Sequence, residues 1–418
     1  MIRFVFSFLL CLPATLLFGQ SLSIDLTQPQ PFFKDGKGIG WDFIDNRQTE
    51  KTLLLSQRKG VTYFSVAVPD GNYRVTLRVG SPQEASETQV RVESRRLLIE
   101  PLKLGKGQTR TFSFVINKRS PRINDHDSVH IKPREKGYLD WDDKLTFEFN
   151  GPAPRLTWLQ IERDTTATTL YLCGNSTVVD QNTEPWASWG QMIPRWFNDR
   201  IAIANHAESG LTATSFLAQN RLKKILQTLK SGDYVFCEFG HNDQKEHGTG
   251  MGAWDNFTTN LKYFIDEVRV RHAHIIFVTP TRRRFFHEGK SQETHGDYPE
   301  AMRAVAQREQ VPVIELHEKT RELLDTLGEE DSKQAFVHYP AGTFPHQVLP
   351  LADNTHFNCY GAYEISKLVV MEMKRLRLPI ADYLRTDWHD FQTGKPDDAR
   401  SFHLYESAFY DNQKPDGN

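Results

Sequence analysis

The chain has 418 residues, enough for two or three domains, and its 39% hydrophobic and 25% charged residues are usual for a globular protein. A formal net charge of -2 gives no electrostatic reason to expect nucleic acid or a membrane surface as a partner. Residues 4–18 form an apolar run behind Arg3, and small or polar residues follow. We interpret residues 1–20 as a signal peptide, with a buried N-terminal element as the alternative. A signal peptide predicts a periplasmic or secreted protein that does not insert into a membrane once the signal is removed.

Three cysteines remain after such a signal is removed, which is an odd number for an exported chain. Cys173 and Cys237 end predicted buried strands, and neither these two nor Cys359 has the spacing of a metal site. We interpret all three as small core residues, with a cysteine nucleophile as the alternative. The sequence therefore predicts neither a metal nor another cofactor.

Residues 21–165 have the period-two pattern of half-buried antiparallel strands. Apolar and polar side chains alternate over 73–79, 111–116 and 145–149. This pattern predicts a β-sandwich domain. The charged and irregular stretch from 118 to 141 is interpreted as a long loop.

From residue 166 the pattern changes to buried strands that alternate with amphipathic helices. The predicted strands are 169–173, 201–205, 234–239, 275–278 and 313–315. This alternation predicts an α/β domain over 166–390, with a parallel sheet covered by helices. Right-handed crossovers bring the carboxyl ends of all its strands to one edge, where the sites of such sheets form. Residues 391–418 are polar and unpatterned, and we interpret them as a tail.

Short polar motifs follow the first three of these strands. Ser176 comes after the first strand, Gly210 after the second and Asn242 after the third. A serine at such a turn is a candidate nucleophile, and a glycine N–H and an asparagine amide are suitable oxyanion donors. Taken singly, each motif is also explained by a helix N-cap, a turn or an Asx-turn.

Asp353 and His356 complete a hydrolase site. An aspartate three residues before a histidine can accept a hydrogen bond from the imidazole Nδ1 within one local turn. That bond fixes the tautomer and leaves Nε2 free to take a proton from a serine. We therefore predict that Ser176 is the serine. His241 is not favoured as the base, because no nearby aspartate in the sequence would orient it.

Together and in this order, the motifs resemble those of the SGNH (GDSL-like) hydrolase superfamily, and within it the rhamnogalacturonan acetylesterases of carbohydrate esterase family 12. The segments that carry the resemblance are Gly174-Asn-Ser-Thr-Val-Val-Asp-Gln181, Asn205-His-Ala-Glu-Ser-Gly210, Phe239-Gly-His-Asn-Asp243, His295-Gly-Asp-Tyr-Pro299 and Asp353-Asn-Thr-His-Phe-Asn358. The resemblance implies a flavodoxin-like three-layer α/β/α catalytic domain preceded by a galactose-binding-like sandwich. One departure is Asn175, where the superfamily usually has aspartate; this position supports the turn and carries no proton.

The resemblance also implies the chemistry and the substrate. Ser176 would attack an acetyl ester of pectic rhamnogalacturonan, an acidic polysaccharide, with the oxyanion held by Ser176 N–H, Gly210 N–H and Asn242. Four further residues are candidate substrate contacts, because indoles can stack on sugar rings and arginines can pair with uronate carboxylates: Trp186, Trp189, Arg282 and Arg283. Core packing for the tryptophans and a solvated surface for the arginines are the alternatives. Other functions left open are an SGNH esterase acting on acetylxylan, a lipid or a thioester, and a non-catalytic carbohydrate-binding protein.

Overall fold

The computed structural model describes residues 21–34, 38–42 and 61–416. The predicted signal peptide, residues 1–20, lies outside the described residues. Within the described ranges, no helix is both long enough and apolar enough to span a lipid bilayer.

The regular elements agree closely with the periods read from the sequence. The strands are β1 (Leu22–Asp25), β2 (Ile39–Asp42), β3 (Thr62–Ala67), β4 (Gly71–Gly80), β5 (Ser86–Val92), β6 (Arg96–Leu104), β7 (Thr109–Lys118), β8 (Lys144–Ala153), β9 (Leu156–Arg163), β10 (Thr168–Cys173), β11 (Ile201–Asn205), β12 (Tyr234–Cys237), β13 (His274–Val278), β14 (Phe286–His287), β15 (Lys290–Ser291), β16 (Val313–Ile314), β17 (Phe336–Tyr339) and β18 (Leu351–Phe357). The α-helices are α1 (Trp189–Met192), α2 (Ala213–Ala218), α3 (Arg221–Thr228), α4 (Thr258–Arg269), α5 (Tyr298–Glu309), α6 (Leu316–Asp331) and α7 (Cys359–Arg375).

The first part of the chain forms two antiparallel layers. Strands β2, β3, β8, β5 and β6 pair in that order in one sheet, and β1, β9, β4 and β7 pair in the other. Alternate side chains of both layers point inwards and form one buried apolar cluster, which includes Phe64, Val75, Leu77, Phe147 and Leu159. Period two along each strand produces this arrangement, because successive side chains point to opposite faces of a sheet.

The second layer continues without a break into the rest of the protein. Strand β7 pairs in parallel with β11, with Val115 opposite Ala202 and Ile116 opposite Ile203. The resulting nine-stranded sheet has the order β1-β9-β4-β7-β11-β10-β12-β13-β16. Residues 21–165 and 166–390 therefore share a sheet, and their division into two domains stays a prediction.

The parallel half of this sheet has a flavodoxin-like strand order. Its strands lie side by side in the order β11-β10-β12-β13-β16. Numbered along the chain, this is the order 2-1-3-4-5 of flavodoxin-like sheets. Helices cover both faces: Leu170 and Leu172 of β10 face one apolar cluster, and Tyr171 and Cys173 face the other. This three-layer arrangement confirms the predicted fold class. The order of strands reverses between β10 and its neighbours, and ligands of such folds bind outside the carboxyl ends there.

Residues 391–416 lack long regular elements but pack against the folded body. Gln89 Nε2 donates a hydrogen bond of 2.9 Å to the Tyr405 carbonyl, and Arg91 donates one of 2.7 Å to Ser407 Oγ. Tyr410 forms an isolated parallel bridge with Glu184. The stretch predicted as a tail is thus fixed against both the sandwich and the α/β part.

Candidate active site

Three predicted residues from distant parts of the chain form a hydrogen-bonded row. His356 Nε2 lies 2.9 Å from Ser176 Oγ, and His356 Nδ1 lies 2.9 Å from Asp353 Oδ2. Ser176 follows β10, whereas the other two residues lie on β18. All three are buried, and Ser176 is 4% exposed. A serine, an imidazole and a carboxylate in this arrangement can activate a hydroxyl as a nucleophile.

The turn that carries Ser176 is held by its own side chains and by Glu238, which no sequence motif indicates. Asn175 Oδ1 accepts a bond of 3.1 Å from Thr177 N–H, so Asn175 supports the turn. The one hydroxyl hydrogen of Thr177 goes to Glu238 Oε1, at 2.6 Å from Thr177 Oγ1. A Cβ at Gly174 would lie 2.6 Å from Val178 Cγ2, so this close packing requires a glycine.

Local hydrogen bonds determine the ionisation of Asp353. Burial opposes its charge, but His356 Nδ1 and the backbone N–H groups of Thr355 and His356 donate to its carboxylate and outweigh that effect. The pKa of Asp353 is consequently lowered to about 2. Asp353 is therefore a carboxylate at any ordinary assay pH and can orient the imidazole and stabilise the imidazolium.

The two candidate oxyanion donors lie beyond the neighbouring strands. Gly210 has a φ of +80°, in the left-handed region that favours glycine. Asn242 Nδ2 donates one bond of 3.1 Å to the Leu211 carbonyl. An amide nitrogen carries two hydrogens, so the second can point at a developing oxyanion. The bond to Leu211 ties the Asn242 side chain to the loop that contains Gly210.

The structure corrects part of the predicted substrate surface. Trp189 is fully buried (0% exposed), and its Nε1 donates a bond of 2.6 Å to Glu238 Oε2, so it cannot stack on a sugar. Arg282 is also buried, with its guanidinium 3.3 Å from Glu293 and 3.6 Å from Glu318. Its charge is balanced within the protein, and contact of Arg282 with a uronate stays a prediction.

The other two predicted contacts lie at the site but are engaged with the protein. The indole of Trp186 meets the His356 ring edge-on, with centroids 5.7 Å apart, and donates a bond of 2.8 Å to the Asp411 carbonyl. Arg283 is half-buried and donates bonds of 2.8 Å and 3.0 Å to the carbonyls of His241 and Thr294. Contact of either residue with substrate stays a prediction.

A cavity of about 1080 Å³ lies beside the triad, between the sandwich and the α/β part. Its walls include Trp186, Ser209, Lys132, Tyr63 and Lys414. Lys414 Nζ also lies 3.5 Å from Asp353 Oδ2. The loop 118–141 and the segment 411–416 thus border the site, although neither carries a motif.

His241 is part of a row of buried imidazoles. Its Nδ1 lies 2.6 Å from His295 Nε2, and its Nε2 lies 3.3 Å from Thr281 Oγ1. Burial, with the neighbouring His295 and Arg283, lowers the pKa of His241 well below its usual value. A neutral imidazole in this position does not repel the protonated form of His356.

A group of potential metal ligands lies next to this row. Ligand atoms of Glu293, His295 and His317 lie within 4.8 Å of one another. His317 Nε2 is 2.6 Å from Glu293, and the same carboxylate is paired with Arg282. Because a guanidinium already neutralises that carboxylate, these residues are better explained as a hydrogen-bonded cluster than as a cation site.

The cysteines do not offer a competing nucleophile. Cys173 and Cys237 lie opposite each other at the ends of β10 and β12, and burial raises the pKa of both thiols. A buried thiol with a raised pKa is a poor nucleophile, because the thiolate is the reactive form.

Comparisons with known proteins agree with the geometry. A profile of the GDSL-like Lipase/Acylhydrolase family matches residues 172–358. Rhamnogalacturonan acetylesterase RhgT of Bacillus subtilis (strain 168) is 40% identical over 218 residues, which is 51% of this chain and 93% of that protein. Probable rhamnogalacturonan acetylesterase YesY of the same organism is 29% identical over 216 residues, which is 51% of this chain and 95% of that protein.

Among solved structures, protein YxiM of Bacillus subtilis is 23% identical, with a TM-score of 0.46 over 76% of this chain and 81% of that chain. The level of identity to RhgT over nearly all of that protein, together with the profile match, confirms the predicted relationship. The chain belongs to the GDSL-like lipase/acylhydrolase family of SGNH hydrolases and is a serine carboxylic ester hydrolase.

Proposed function

We propose that the protein removes acetyl groups from pectic rhamnogalacturonan through an acyl-enzyme formed on Ser176. The observation that carries the mechanism is the row of hydrogen bonds from Ser176 through His356 to Asp353, at 2.9 Å each. His356 Nε2 takes the hydroxyl proton as Ser176 Oγ attacks the ester carbonyl. The imidazolium then gives this proton to the sugar oxygen that leaves.

Deacylation repeats the same steps with water. His356 Nε2 takes a proton from the water molecule as its oxygen attacks the acetyl-serine carbonyl. The proton returns to Ser176 Oγ as acetate leaves. Both steps pass through a tetrahedral oxyanion. We propose that the N–H groups of Ser176 and Gly210 and the Asn242 amide stabilise it by hydrogen bonds. Removing one such donor typically raises the barrier by about 3 kcal/mol.

The substrate part of the proposal is supported by the relatives and by the position of the cavity. RhgT carries the name rhamnogalacturonan acetylesterase and YesY the name probable rhamnogalacturonan acetylesterase, and this chain aligns with nearly the full length of both. The cavity of about 1080 Å³ has cationic, acidic and aromatic residues in its walls, among them Lys132, Arg134, Asp142 and Tyr63. Such a polar surface suits a polysaccharide better than a lipid acyl chain, which requires a broad apolar surface.

We also propose that the protein works outside the cytoplasm, in the periplasm or secreted. The apolar run 4–18 behind Arg3 supports export. N-terminal sequencing of protein recovered from the native compartment tests this, and an N-terminus at Met1 would contradict it.

The function is tested by acetate release from acetylated rhamnogalacturonan and from acetylxylan, with wild type beside Ser176→Ala. We expect release from rhamnogalacturonan to be preferred, and to fall at least about 10³-fold in the variant because the nucleophile is gone. Equal release from the two polymers would contradict the pectic substrate but leave the mechanism. Equal rates for wild type and variant on every ester, including a small aryl acetate, would contradict the mechanism itself.

A further inference from the structure

We propose that Lys132 and Arg134 bind a carboxylate of the substrate, and that Asp416 of the protein itself occupies this anion site in the structure. The assignment rests on the proposed function, because it specifies how an acidic polysaccharide is recognised next to the triad. Both cations belong to the loop 118–141, outside the segment that matches the family profile.

Asp416 is held as a bound anion would be. Its Oδ2 lies 3.1 Å from Lys132 Nζ and 2.8 Å from Arg134 NH1. A guanidinium and an ammonium that converge on one carboxylate provide strong, charge-assisted hydrogen bonds. Together these two side chains form a site for one carboxylate group.

The site adjoins the candidate oxyanion glycine. Lys132 Nζ donates a bond of 2.6 Å to the Ser209 carbonyl, and Arg134 NH2 donates one of 3.1 Å to the same oxygen. A Cβ added at Gly210 would lie 2.9 Å from Asp416 Cβ and 3.2 Å from Lys132 Nζ. A carboxylate at this site is therefore close enough to Gly210 to belong to the sugar that carries the ester or to the next sugar.

The ion pairs around Lys132 and Arg134 show which of the two needs Asp416 to balance its charge. Arg134 Nε donates a bond of 3.0 Å to the buried Glu208, which balances the guanidinium. Glu135, the other acid of this loop turn, is paired with Arg221. Asp416 is thus the carboxylate that balances Lys132, and its departure leaves a positive charge beside Gly210 that a uronate can neutralise.

Asp416 is also placed to be displaced. Its side chain is 55% exposed, and those of Lys132 and Arg134 are 22% and 30% exposed. Ion pairs at such exposure contribute little to stability, so a substrate anion competes with Asp416 at low cost. The segment 411–416 also passes the triad, since Lys414 Nζ lies 3.5 Å from Asp353. Polymer binding and movement of this segment are therefore coupled.

The experiment measures inhibition of aryl acetate hydrolysis by unacetylated galacturonate oligomers, with neutral galactose oligomers as the comparison ligand. In wild type we expect the galacturonate oligomer to inhibit more strongly, and its inhibition constant to rise with salt. Lys132→Gln should weaken this inhibition about tenfold, or about 1.4 kcal/mol. Asp416→Asn should strengthen it, because the competing carboxylate is gone.

The matched control is Arg122→Gln. Arg122 lies in the same loop, but it is exposed, pairs with Asp125 and is not in the wall of the cavity. Its substitution should change neither the aryl acetate rate nor the inhibition constant. Equal inhibition by the two oligomers in wild type, or equal effects of Lys132→Gln and Arg122→Gln, would overturn the anion site.

A failure of this site and a failure of the proposed function are distinguishable. If galacturonate inhibits selectively but no acetate is released from acetylated rhamnogalacturonan, the anion site stands and the pectic function fails. If acetate is released and Lys132→Gln leaves the KM for that polymer unchanged, the function stands and the anion site is refuted. Lys132→Gln should raise the inhibition constant of the galacturonate oligomer, and Asp416→Asn should lower it. Because the two expected changes are opposite, either variant tests the site even if the other folds poorly.

Discussion

Replacing Asp353 with asparagine separates its catalytic role from its structural one. Asp353 Oδ1 accepts backbone bonds of 2.7 Å from Thr355 and 2.9 Å from His356, whereas Oδ2 faces His356 Nδ1. In Asp353→Asn the remaining carbonyl oxygen can keep both backbone bonds, so the local backbone conformation is retained. The amide NH₂ then replaces the oxygen that faces the imidazole.

The expected loss of rate follows from the tautomer. An amide NH₂ donates, so Nδ1 must become the acceptor and the ring proton moves to Nε2. Nε2 then cannot take the proton of Ser176, and the carboxylate that stabilised the imidazolium is lost as well. We expect kcat for a small aryl acetate to fall about 10⁴-fold, as is typical of this change in serine triads. A discontinuous assay of the released product, at high enzyme concentration, measures such a slow rate.

A matched variant tests the reasoning. Asp353→Ala removes the backbone acceptor too, so it should lower the melting temperature clearly more than Asp353→Asn does. Because the pKa of Asp353 is lowered to about 2, wild type should keep this carboxylate ionised throughout the usual assay range of pH. An asparagine variant with kcat within tenfold of wild type would refute the assignment of Asp353 as the residue that orients His356.

Three other substitutions test the oxyanion donor, the buried ion pairs and the buried carboxyl under the nucleophile turn. Asn242→Ala should lower kcat about 10²- to 10³-fold with little change in KM, since the donor acts on the transition state; a changed KM alone would contradict this. Glu184→Gln should destabilise the fold by about 3–5 kcal/mol, measured by thermal unfolding, because buried Arg91 and Arg95 lie 3.2 Å and 2.5 Å from the carboxylate. Burial raises the pKa of Glu238 from 4.5 to about 7, although hydrogen bonds oppose the shift. The folded protein then holds a proton that the unfolded chain has lost, so stability should fall as the pH rises from about 4.5 to 7. Glu238→Gln should flatten this slope in calorimetry, and an unchanged slope would contradict the raised pKa.

The strands and the triad could be predicted from the sequence because their causes are local or periodic. A buried parallel strand is a short apolar run, and β10, β11, β12 and β13 lie within a residue or two of the predicted ranges. The pairing of Asp353 with His356 depends on a spacing of three residues. A local turn is predicted for it, and the structure meets it on β18, where the pairing with β17 is irregular. The fusion of the two sheets through β7 and β11 had no such signature, because parallel pairing between distant strands leaves no pattern in either one.

The charged parts of the site were not predictable for a related reason. Lys132 and Asp416 are 284 residues apart, and both lie in segments without a period. An ion pair constrains only two side chains, so it imposes no pattern on its neighbours. The composition of the segment 118–141 therefore predicts only an irregular loop, although its cations contact the Gly210 loop.

The two tryptophans near Ser176 show how the triad is held. Trp189 donates to one oxygen of Glu238, and Thr177, the residue after the nucleophile, donates to the other, both at 2.6 Å. Trp186 lies edge-on to His356, so one indole fixes the turn of the nucleophile and the other limits rotation of the base. Aromatic residues at this spacing suggested a sugar platform because indoles serve both purposes. Burial decides for Trp189: its ring is fully buried and donates its N–H to a buried carboxyl, so it supports the turn of Ser176 and does not face a sugar.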